Sequence, residues 1–273
     1  MRGTRKSTLA LVAATALLGA FQAAPRPALA QAVAAPVEPS NASRGVAAVD
    51  RAAETGKYLF IFFWKANDEQ SSTMYGVFRS AMAKMARSAD SIGIQTTDPR
   101  EKSVVERFGV SRAPMPLVVA LAPNGAITKG FPVKFDESQL RQAFVSPCTA
   151  KCLKSLQERK LVLLCVQNQR TQFSQAAMKG VADFKADKRF AAATQIVTLD
   201  PEDRAETALL GELQVDPRTP TAVTVLLAPP GAPIAKFAGA VTKDQIVAKV
   251  ASAKSGPCAD GKCGPGGCGP KKP

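Results

Sequence analysis

Residues 110–125 read VSRAPMPLVVALAPNG, and residues 215–231 read VDPRTPTAVTVLLAPPG. Each stretch starts with Val, passes through a short turn that contains Pro, and continues as an apolar strand that ends at a Pro/Gly turn. An apolar run that ends in such a turn is typical of the first strand of a β-hairpin. Because the same order of features occurs twice, these two stretches predict that the chain contains one fold in duplicate.

The repeat extends over a whole small domain. Residues 59–63 (LFIFF) match 161–165 (LVLLC), Asp98-Pro99 matches Asp200-Pro201, and residues 138–140 match 244–246. The matched positions lie 102 to 106 residues apart, which is longer than the periods of about 20–50 residues found in solenoids. We therefore expect two tandem domains, called copy one (residues 44–146) and copy two (residues 147–253).

Both copies show the same order of elements. In copy one we expect helices over 45–55, 70–88, 99–108 and 136–145, strands over 57–64 and 91–96, and a hairpin over 117–121 and 127–131. In copy two we expect helices over 147–158, 171–185, 201–213 and 243–253, strands over 161–166 and 194–199, and a hairpin around 229–231. Strand–helix–strand units require parallel strands and hairpins require antiparallel ones. The predicted fold class is α/β, with a mixed central sheet flanked by helices in each copy.

The ends of the chain differ from its middle. Residues 1–30 combine a basic start, an apolar run over 8–20 that is short for a bilayer span, and Ala28-Leu29-Ala30 before a cleavage site, which is the pattern of a secretory signal peptide. Residues 31–43 are rich in Ala and Pro and are interpreted as a linker. We expect an exported protein, periplasmic or secreted, that is not an integral membrane protein after signal cleavage.

The composition excludes several kinds of chemistry. The chain has no His, so Ser-His and Cys-His catalytic pairs and His-bearing metal sites are excluded. The net charge of +14 falls to +10 once residues 1–30, with four basic and no acidic residues, are removed. The basic residues are scattered and rarely adjoin aromatic ones, so we interpret them as a solvated surface and expect no nucleic-acid partner.

Particular residues resemble the thioredoxin-like superfamily. Phe63-Trp64 is similar to the Phe-Trp that ends the central strand in that family, and residues 239–246 (GAVTKDQI) are similar to its C-terminal run. Pro114 and Pro220 stand where the family has a cis-proline, with Pro116 as the rival in copy one. The resemblance covers about residues 44–253 and implies two tandem thioredoxin-like domains.

The sequence departs from the family at the redox site. The resemblance implies a Cys-x-x-Cys pair at the start of the helix after Phe63-Trp64, where the helix dipole lowers a thiol pKa. Counting from Trp64 places Asp68 and Ser71 there, and the matching stretch of copy two, residues 168–173 (NQRTQF), also lacks Cys. Both domains are therefore predicted to be degenerate at this site, with Asp68 and Glu69 acting as capping residues rather than catalytic carboxylates.

Three of the six cysteines lie within copy two. Cys165 is matched with Phe63 and is interpreted as a core thiol. Cys148 and Cys152 stand four residues apart, so they share one face of a helix. We treat this pair as the alternative redox site, against the simpler interpretation of two partly buried thiols.

The other three cysteines lie in the tail, residues 254–273, which is rich in Gly, Pro and Lys and predicted to be disordered. Cys258, Cys263 and Cys268 recur every five residues, and thiolates at this density suit Cu(I) or another thiophilic metal. Asp260-Gly261-Lys262-Cys263-Gly264 is similar to the Gly-Lys-Cys-Gly repeats of exported bacterial copper-binding peptides. Structural disulfides and thiol exchange remain the alternatives.

These observations support three functional hypotheses. The first is an exported binding or scaffold protein that recognises a protein or peptide partner, is non-catalytic at the usual redox site, and has a metal-binding tail. The second is a thiol-disulfide oxidoreductase that uses displaced cysteines. The third is a structural envelope module whose tail is locked by disulfides.

Overall fold

The computed structural model describes residues 43–254. In copy one the elements are α1 (Arg44–Thr55), β1 (Tyr58–Trp64), α2 (Glu69–Met85), β2 (Ala89–Gln95), α3 (Lys102–Arg107), β3 (Leu117–Leu121), β4 (Ile127–Pro132) and α4 (Glu137–Arg141). In copy two they are α5 (Pro147–Gln157), β5 (Leu161–Val166), α6 (Ser174–Ala186), β6 (Thr194–Leu199), α7 (Thr207–Glu212), β7 (Val223–Ala228), β8 (Ala232–Ala238) and α8 (Lys243–Lys254). The order of helices and strands is the predicted one in both copies.

Each copy is built around its own four-stranded mixed sheet. The strand orders are β2-β1-β3-β4 and β6-β5-β7-β8. In both sheets the first two strands of the copy run parallel, and the hairpin strands pair antiparallel. In copy one, α2 and α4 cover one face of the sheet and α1 and α3 cover the other. In copy two, α6 and α8 take the first of these faces, and α5 and α7 take the second. The predicted fold class is confirmed.

Side-chain caps fix where several helices begin. The Asp68 carboxylate accepts a hydrogen bond from the backbone N–H of Ser71 at the start of α2. Asp136 and Gln139 form a capping box at the start of α4, and Thr242 and Gln245 bond reciprocally at the start of α8. α4 ends at Arg141, four residues short of the predicted end, and the segments Pro99–Glu101 and Arg204–Glu206 are 3₁₀ turns before α3 and α7.

The register between the copies differs by one residue from the predicted match. Leu59 pairs with Leu121 beside a bulge in the hairpin of copy one, and Val162 pairs with Leu227 beside the equivalent bulge of copy two. Leu59 is therefore equivalent to Val162, an offset of 103 residues. Since neighbouring strand residues face opposite sides of a sheet, Cys165 corresponds to Phe62 on the α2 side rather than to Phe63.

The two copies contact each other directly. Within copy one, the hydroxyl of Tyr58 fixes the segment that leads into α5: it donates to the backbone carbonyl of Val145 at 2.8 Å and accepts from its N–H at 3.0 Å. The side chain of Gln157, at the end of α5, bonds both the N–H (2.9 Å) and the carbonyl (2.6 Å) of Ile127 in β4. A small apolar cluster that includes Ala126 and Ala150 lies between these contacts. Helix α5 is thus bonded through Gln157 to the hairpin of copy one.

Candidate functional site

The positions of the missing thiols in copy one lie where β1 gives way to α2. Asp68 is the N-cap of α2, and its Oδ1 accepts from the N–H of Ser71 at 2.7 Å. This bond holds the pKa of Asp68 below its ordinary value, so the group is a carboxylate at neutral pH. Ser71 is buried at 5% exposure. The pair caps the helix and supplies no nucleophile, in line with the capping role that the sequence indicates.

In copy two the same positions carry two hydroxyl groups. With the offset of 103, Asp68 corresponds to Thr171 and Ser71 to Ser174. The hydroxyls of Thr171 and Ser174 share a hydrogen bond of 2.7 Å, and Thr171 Oγ1 also accepts from the N–H of Asn168 at 3.0 Å. This turn occupies the residues before α6, so the helix begins at Ser174 instead of the predicted position 171.

Three aromatic rings surround a pocket beside Asp68. The ring centroid of Phe62 lies 5.2 Å from that of Tyr75 and 6.0 Å from that of Trp64. The pocket encloses about 270 Å³ and is lined by Phe62, Trp64, Asn67, Ser71, Ser72 and Tyr75. Tyr75 is 40% exposed. We call this site the aromatic pocket. The sequence did not predict this pocket, because its lining residues belong to a strand, a loop and a helix that follow one another in the chain.

The equivalent cleft of copy two is wide and polar. It encloses about 870 Å³, and its lining includes Gln167, Asn168, Thr171, Ser174 and Thr198. Phe173 lies at the edge of this cleft and is 56% exposed. Its φ of 64° falls in the left-handed region, which residues other than Gly rarely adopt. The two clefts therefore occupy the same place in the fold but offer different chemistry.

The proline predictions need correction. The cis peptide bond of copy one is Met115-Pro116, so the rival Pro116 is cis and Pro114 is not. Pro220 is also not cis, since the cis bond of copy two is Pro229-Pro230, in the hairpin turn. Pro220 nevertheless lies beside the candidate site, because its carbonyl accepts from the N–H of Gln172 at 2.9 Å.

Cys148 and Cys152 share one side of α5, and both are free thiols. Burial, followed by the nearby Glu206 carboxylate, raises the pKa of Cys148 to about 11. Burial, followed by Cys148 and Glu206, raises the pKa of Cys152 to about 12. Both sulfurs are therefore protonated at neutral pH, whereas thiol exchange requires a thiolate.

Cys165 has the environment that the sequence predicts. It is 1% exposed in the centre of β5. Burial raises the pKa of its thiol to about 11, although a hydrogen bond with Thr224 opposes this effect. This thiol is inaccessible and protonated.

A buried carboxylate occurs at the same place in both copies. Glu101, 5% exposed, accepts from the hydroxyl of Ser43 at 2.6 Å and from the N–H of Gly45 at 3.0 Å. Glu206, 2% exposed, accepts from the hydroxyl of Ser146 and from the N–H of Cys148 at 3.0 Å. Each glutamate binds the start of the first helix of its own copy, where the helix dipole favours negative charge.

This duplicated glutamate was not predicted, and it changes the interpretation of the cysteine pair. Ser43 and Ser146 are the N-caps of α1 and α5. Cys148 consequently stands at the position of Gly45, and Cys152 stands at the position of Val49, a core residue of copy one. The two thiols occupy packing positions of the repeat.

The predicted metal ligands Cys258, Cys263 and Cys268 lie outside the described residues, as do the signal peptide and most of the linker. Within residues 43–254, no group of three or more acidic or Cys side chains is placed to hold a metal ion. In the same range, no helix is long and apolar enough to cross a membrane.

Comparison with known proteins adds the following findings. No family model matches the chain, and no curated protein matches it. The germline-specific thioredoxin Deadhead from Drosophila melanogaster matches with 20% identity and a TM-score of 0.31, over 37% of this chain and 90% of its own. A disulphide isomerase from Xylella fastidiosa matches with 14% identity and a TM-score of 0.31, over 41% of this chain and 95% of its own. StoA from Bacillus subtilis matches with 12% identity and a TM-score of 0.27, over 32% of this chain and 82% of its own.

The architecture of the chain itself defines its class. Each copy has a central strand that pairs parallel with one neighbour and antiparallel with a hairpin strand, and a helix that starts a few residues after the central strand ends. This is the thioredoxin-like arrangement. The described chain consists of two thioredoxin-like domains in tandem.

Proposed function

We propose that this chain is an exported binding protein whose two thioredoxin-like domains recognise a protein or peptide partner without redox catalysis at the usual site. One observation carries the proposal: the positions that would need thiols hold Asp68 and Ser71 in copy one and Thr171 and Ser174 in copy two. These side chains are engaged in local hydrogen bonds. The surfaces around them are an aromatic pocket and a polar cleft, both suited to binding.

A gain-of-function experiment tests this proposal. We expect the mature protein, residues 31–273, to give no dithiol-dependent reduction of insulin above the background rate. The double variant Asp68→Cys/Ser71→Cys restores the thiol spacing at the start of α2, where the dipole favours a thiolate, and should gain activity. Thr171→Cys/Ser174→Cys makes the same change in copy two. Turnover by the unmodified protein would contradict the proposal.

The second candidate is thiol exchange through Cys148 and Cys152. The raised pKa of both thiols disfavours it. If the unmodified protein does turn over, the variants Cys148→Ser and Cys152→Ser identify the source. Loss of turnover in either variant would assign the activity to this pair, and unchanged turnover would assign it to the tail.

The tail is proposed to bind Cu(I) or another thiophilic metal through Cys258, Cys263 and Cys268. Their spacing of five residues supports this. Thiols of the purified mature protein are counted by mass spectrometry after alkylation, with and without Cu(I). Tail thiols that become protected in proportion to added copper, with protection lost on substitution by Ser, agree with the proposal. Tail sulfurs already in disulfides contradict it and favour thiol exchange or a locked structural tail.

Export is proposed from the signal-like pattern of residues 1–30. The N-terminus of the protein recovered from the periplasm or the medium of an expressing bacterium gives a direct test. We expect it to start at Gln31. Protein that retains Met1 and stays in the cytoplasm would contradict export.

A further inference from the structure

The aromatic pocket is a feature of copy one that the thioredoxin-like fold does not need. Its three rings belong to Phe62, Trp64 and Tyr75. At the equivalent positions, copy two has Cys165, Gln167 and Met178. Copy two folds into the same sheet and helices without the rings. The sheet and helices of the repeat thus form without the three rings, although Phe62 and Trp64 also pack in the core of copy one.

Gly93 determines where the indole lies. A Cβ at Gly93 would stand 2.9 Å from Cζ3 of Trp64, closer than Cβ contacts occur, and 3.7 Å from Cε2 of Tyr75. The missing side chain therefore lets the indole lie against β2. Copy two has Thr198 at the equivalent position, because Gly93 pairs with Phe62 and Thr198 pairs with Cys165, and a side chain there agrees with the lack of a Trp in copy two. The three aromatic residues and Gly93 of copy one therefore all contribute to the aromatic pocket.

The indole also has an unmet hydrogen-bond need. Its Nε1 is buried and has no hydrogen-bond partner among the described residues. A buried donor without a partner is unfavourable. Because Nε1 is buried, a ligand reaches it only if the indole moves. The polar side chains that line the pocket are those of Asn67, Ser71 and Ser72.

The size and the charge of the site indicate what it accommodates. A volume of about 270 Å³ lies below the roughly 300–1,000 Å³ typical of small-molecule sites and suits one aromatic side chain. Asp68 and Glu69 directly follow Asn67, which lines the pocket, and both are exposed. No Lys or Arg is among its lining residues, and Lys65, exposed and directly after the lining residue Trp64, sets one positive charge against these two carboxylates. The surroundings therefore favour a positive charge next to the bound ring.

We propose that the aromatic pocket receives one aromatic side chain of a protein partner, from a segment in which Lys or Arg adjoins that residue. This proposal rests on the proposed binding function and specifies the partner chemistry. It concerns the flank of α2 that faces β2, because Gly93 of β2 contacts two of the three rings.

The single Trp of the chain makes the test direct. Since Trp64 lines the pocket and is the only Trp, its fluorescence reports occupancy. The mature protein is titrated with acetyl-Gly-Lys-Phe-Gly-amide and with versions in which Ala replaces Phe or Glu replaces Lys. We expect a saturable emission change with the first peptide, none with the Ala peptide, and weaker binding of the Glu peptide. The difference between the Lys and Glu peptides should shrink at high salt.

Two protein variants locate the binding. Tyr75 is partly exposed, so Tyr75→Met, which installs the residue of copy two, should leave the fold intact. Loss of one ring contact should weaken binding about ten-fold. Phe173→Ala removes the other strongly exposed aromatic side chain and should leave binding unchanged. A peptide that carries 4-fluorophenylalanine gives a second readout, by ¹⁹F NMR, that does not depend on Trp64.

The outcomes separate this inference from the proposed function. No saturable binding by either readout, or equal binding of the Phe and Ala peptides, would overturn the pocket proposal. An unchanged affinity in Tyr75→Met would overturn it as well. None of these results bears on the insulin assay, which tests the non-catalytic function independently. Equal affinity for the Lys and Glu peptides would overturn the charge preference.

Discussion

The thiol of Cys148 provides the sharpest test of the electrostatics in copy two. At pH 7.5 a thiol with a pKa of about 11 is ionised to about 0.03%, against about 9% for an unperturbed thiol of pKa about 8.5. Alkylation requires the thiolate, so this difference slows the reaction about 300-fold. The more basic thiolate is intrinsically more nucleophilic, and this offsets the loss of rate about ten- to eighteen-fold. We therefore expect iodoacetamide to modify Cys148 about twenty times more slowly than the same residue in the denatured chain.

Mass spectrometry of the labelled peptide over pH 7 to 10 measures this rate. Glu206→Gln removes the negative charge next to the sulfur but keeps an acceptor for the N–H of Cys148, so the pKa of Cys148 should fall and its labelling should accelerate. Burial is the larger cause of the shift, so the rate should remain below that of the denatured chain. Glu101→Gln makes the same change in copy one and should have no effect on Cys148. Labelling at the denatured rate, or equal acceleration by both variants, would refute the argument.

Further predictions concern stability. Gly180→Ala should destabilise the protein by about 3 kcal/mol or more in urea unfolding, because its Cβ would stand 1.8 Å from the carbonyl oxygen of Val241; a smaller loss would show that α6 and α8 can separate. Gly76 lies on the open surface of α2, so Gly76→Ala should stabilise the protein by about 1 kcal/mol. A lower stability of this variant would contradict the open position of Gly76. Gln157→Ala removes two hydrogen bonds between the copies and should cost about 1 kcal/mol, and calorimetry should show the copies unfolding less cooperatively. The pKa of the Cys152 thiol is raised in the folded chain, so above about pH 9 the folded state keeps a proton that the unfolded state has lost. The free energy of unfolding should therefore fall as the pH rises above about 9. Cys152→Ala should make that fall less steep.

The order of elements was predictable because the repeat presents it twice, but the register between the copies was not. The match of residues 59–63 with residues 161–165 was one residue out. Strands that are buried on both faces read as continuous apolar runs, so neither copy shows the alternation that would fix a register. Hydrogen bonding with the hairpin determines it, and the sequence does not display that pairing. This error of one residue matched Cys165 with Phe63, whose side chain lies on the other face of the sheet.

The paired glutamates escaped prediction for a related reason. Asp98 and Asp203 are the N-caps of equivalent 3₁₀ turns, and Glu101 and Glu206 each follow three residues later. The sequence match instead joined Asp98-Pro99 to Asp200-Pro201. A charged residue is ordinarily expected at the surface, so the repeated Asp-x-x-Glu received no weight. The occurrence of Asp-x-x-Glu in both copies, at 98–101 and at 203–206, was the available signal.

The candidate site was predictable in part. The replacement of the thiols by Asp68 and Ser71 could be counted from Trp64, since the family's spacing is short and rigid. The aromatic pocket could not, because it joins β1, the loop after it and α2, and depends on Gly93 in a fourth segment. Such a site is defined by contacts between elements, whereas sequence patterns describe elements one at a time.

The contacts between α5 and the hairpin of copy one have a consequence for dissection of the chain. A duplicated domain is ordinarily separable from its twin, and a gene fragment should then yield a working half. Here the side chain of Gln157 bonds the backbone of Ile127, and Ala126 is covered in part by α5. A fragment that ends at residue 146 would keep the bonds between Tyr58 and Val145 but would lose both of these contacts. We therefore expect copy one to be less stable alone than in the pair.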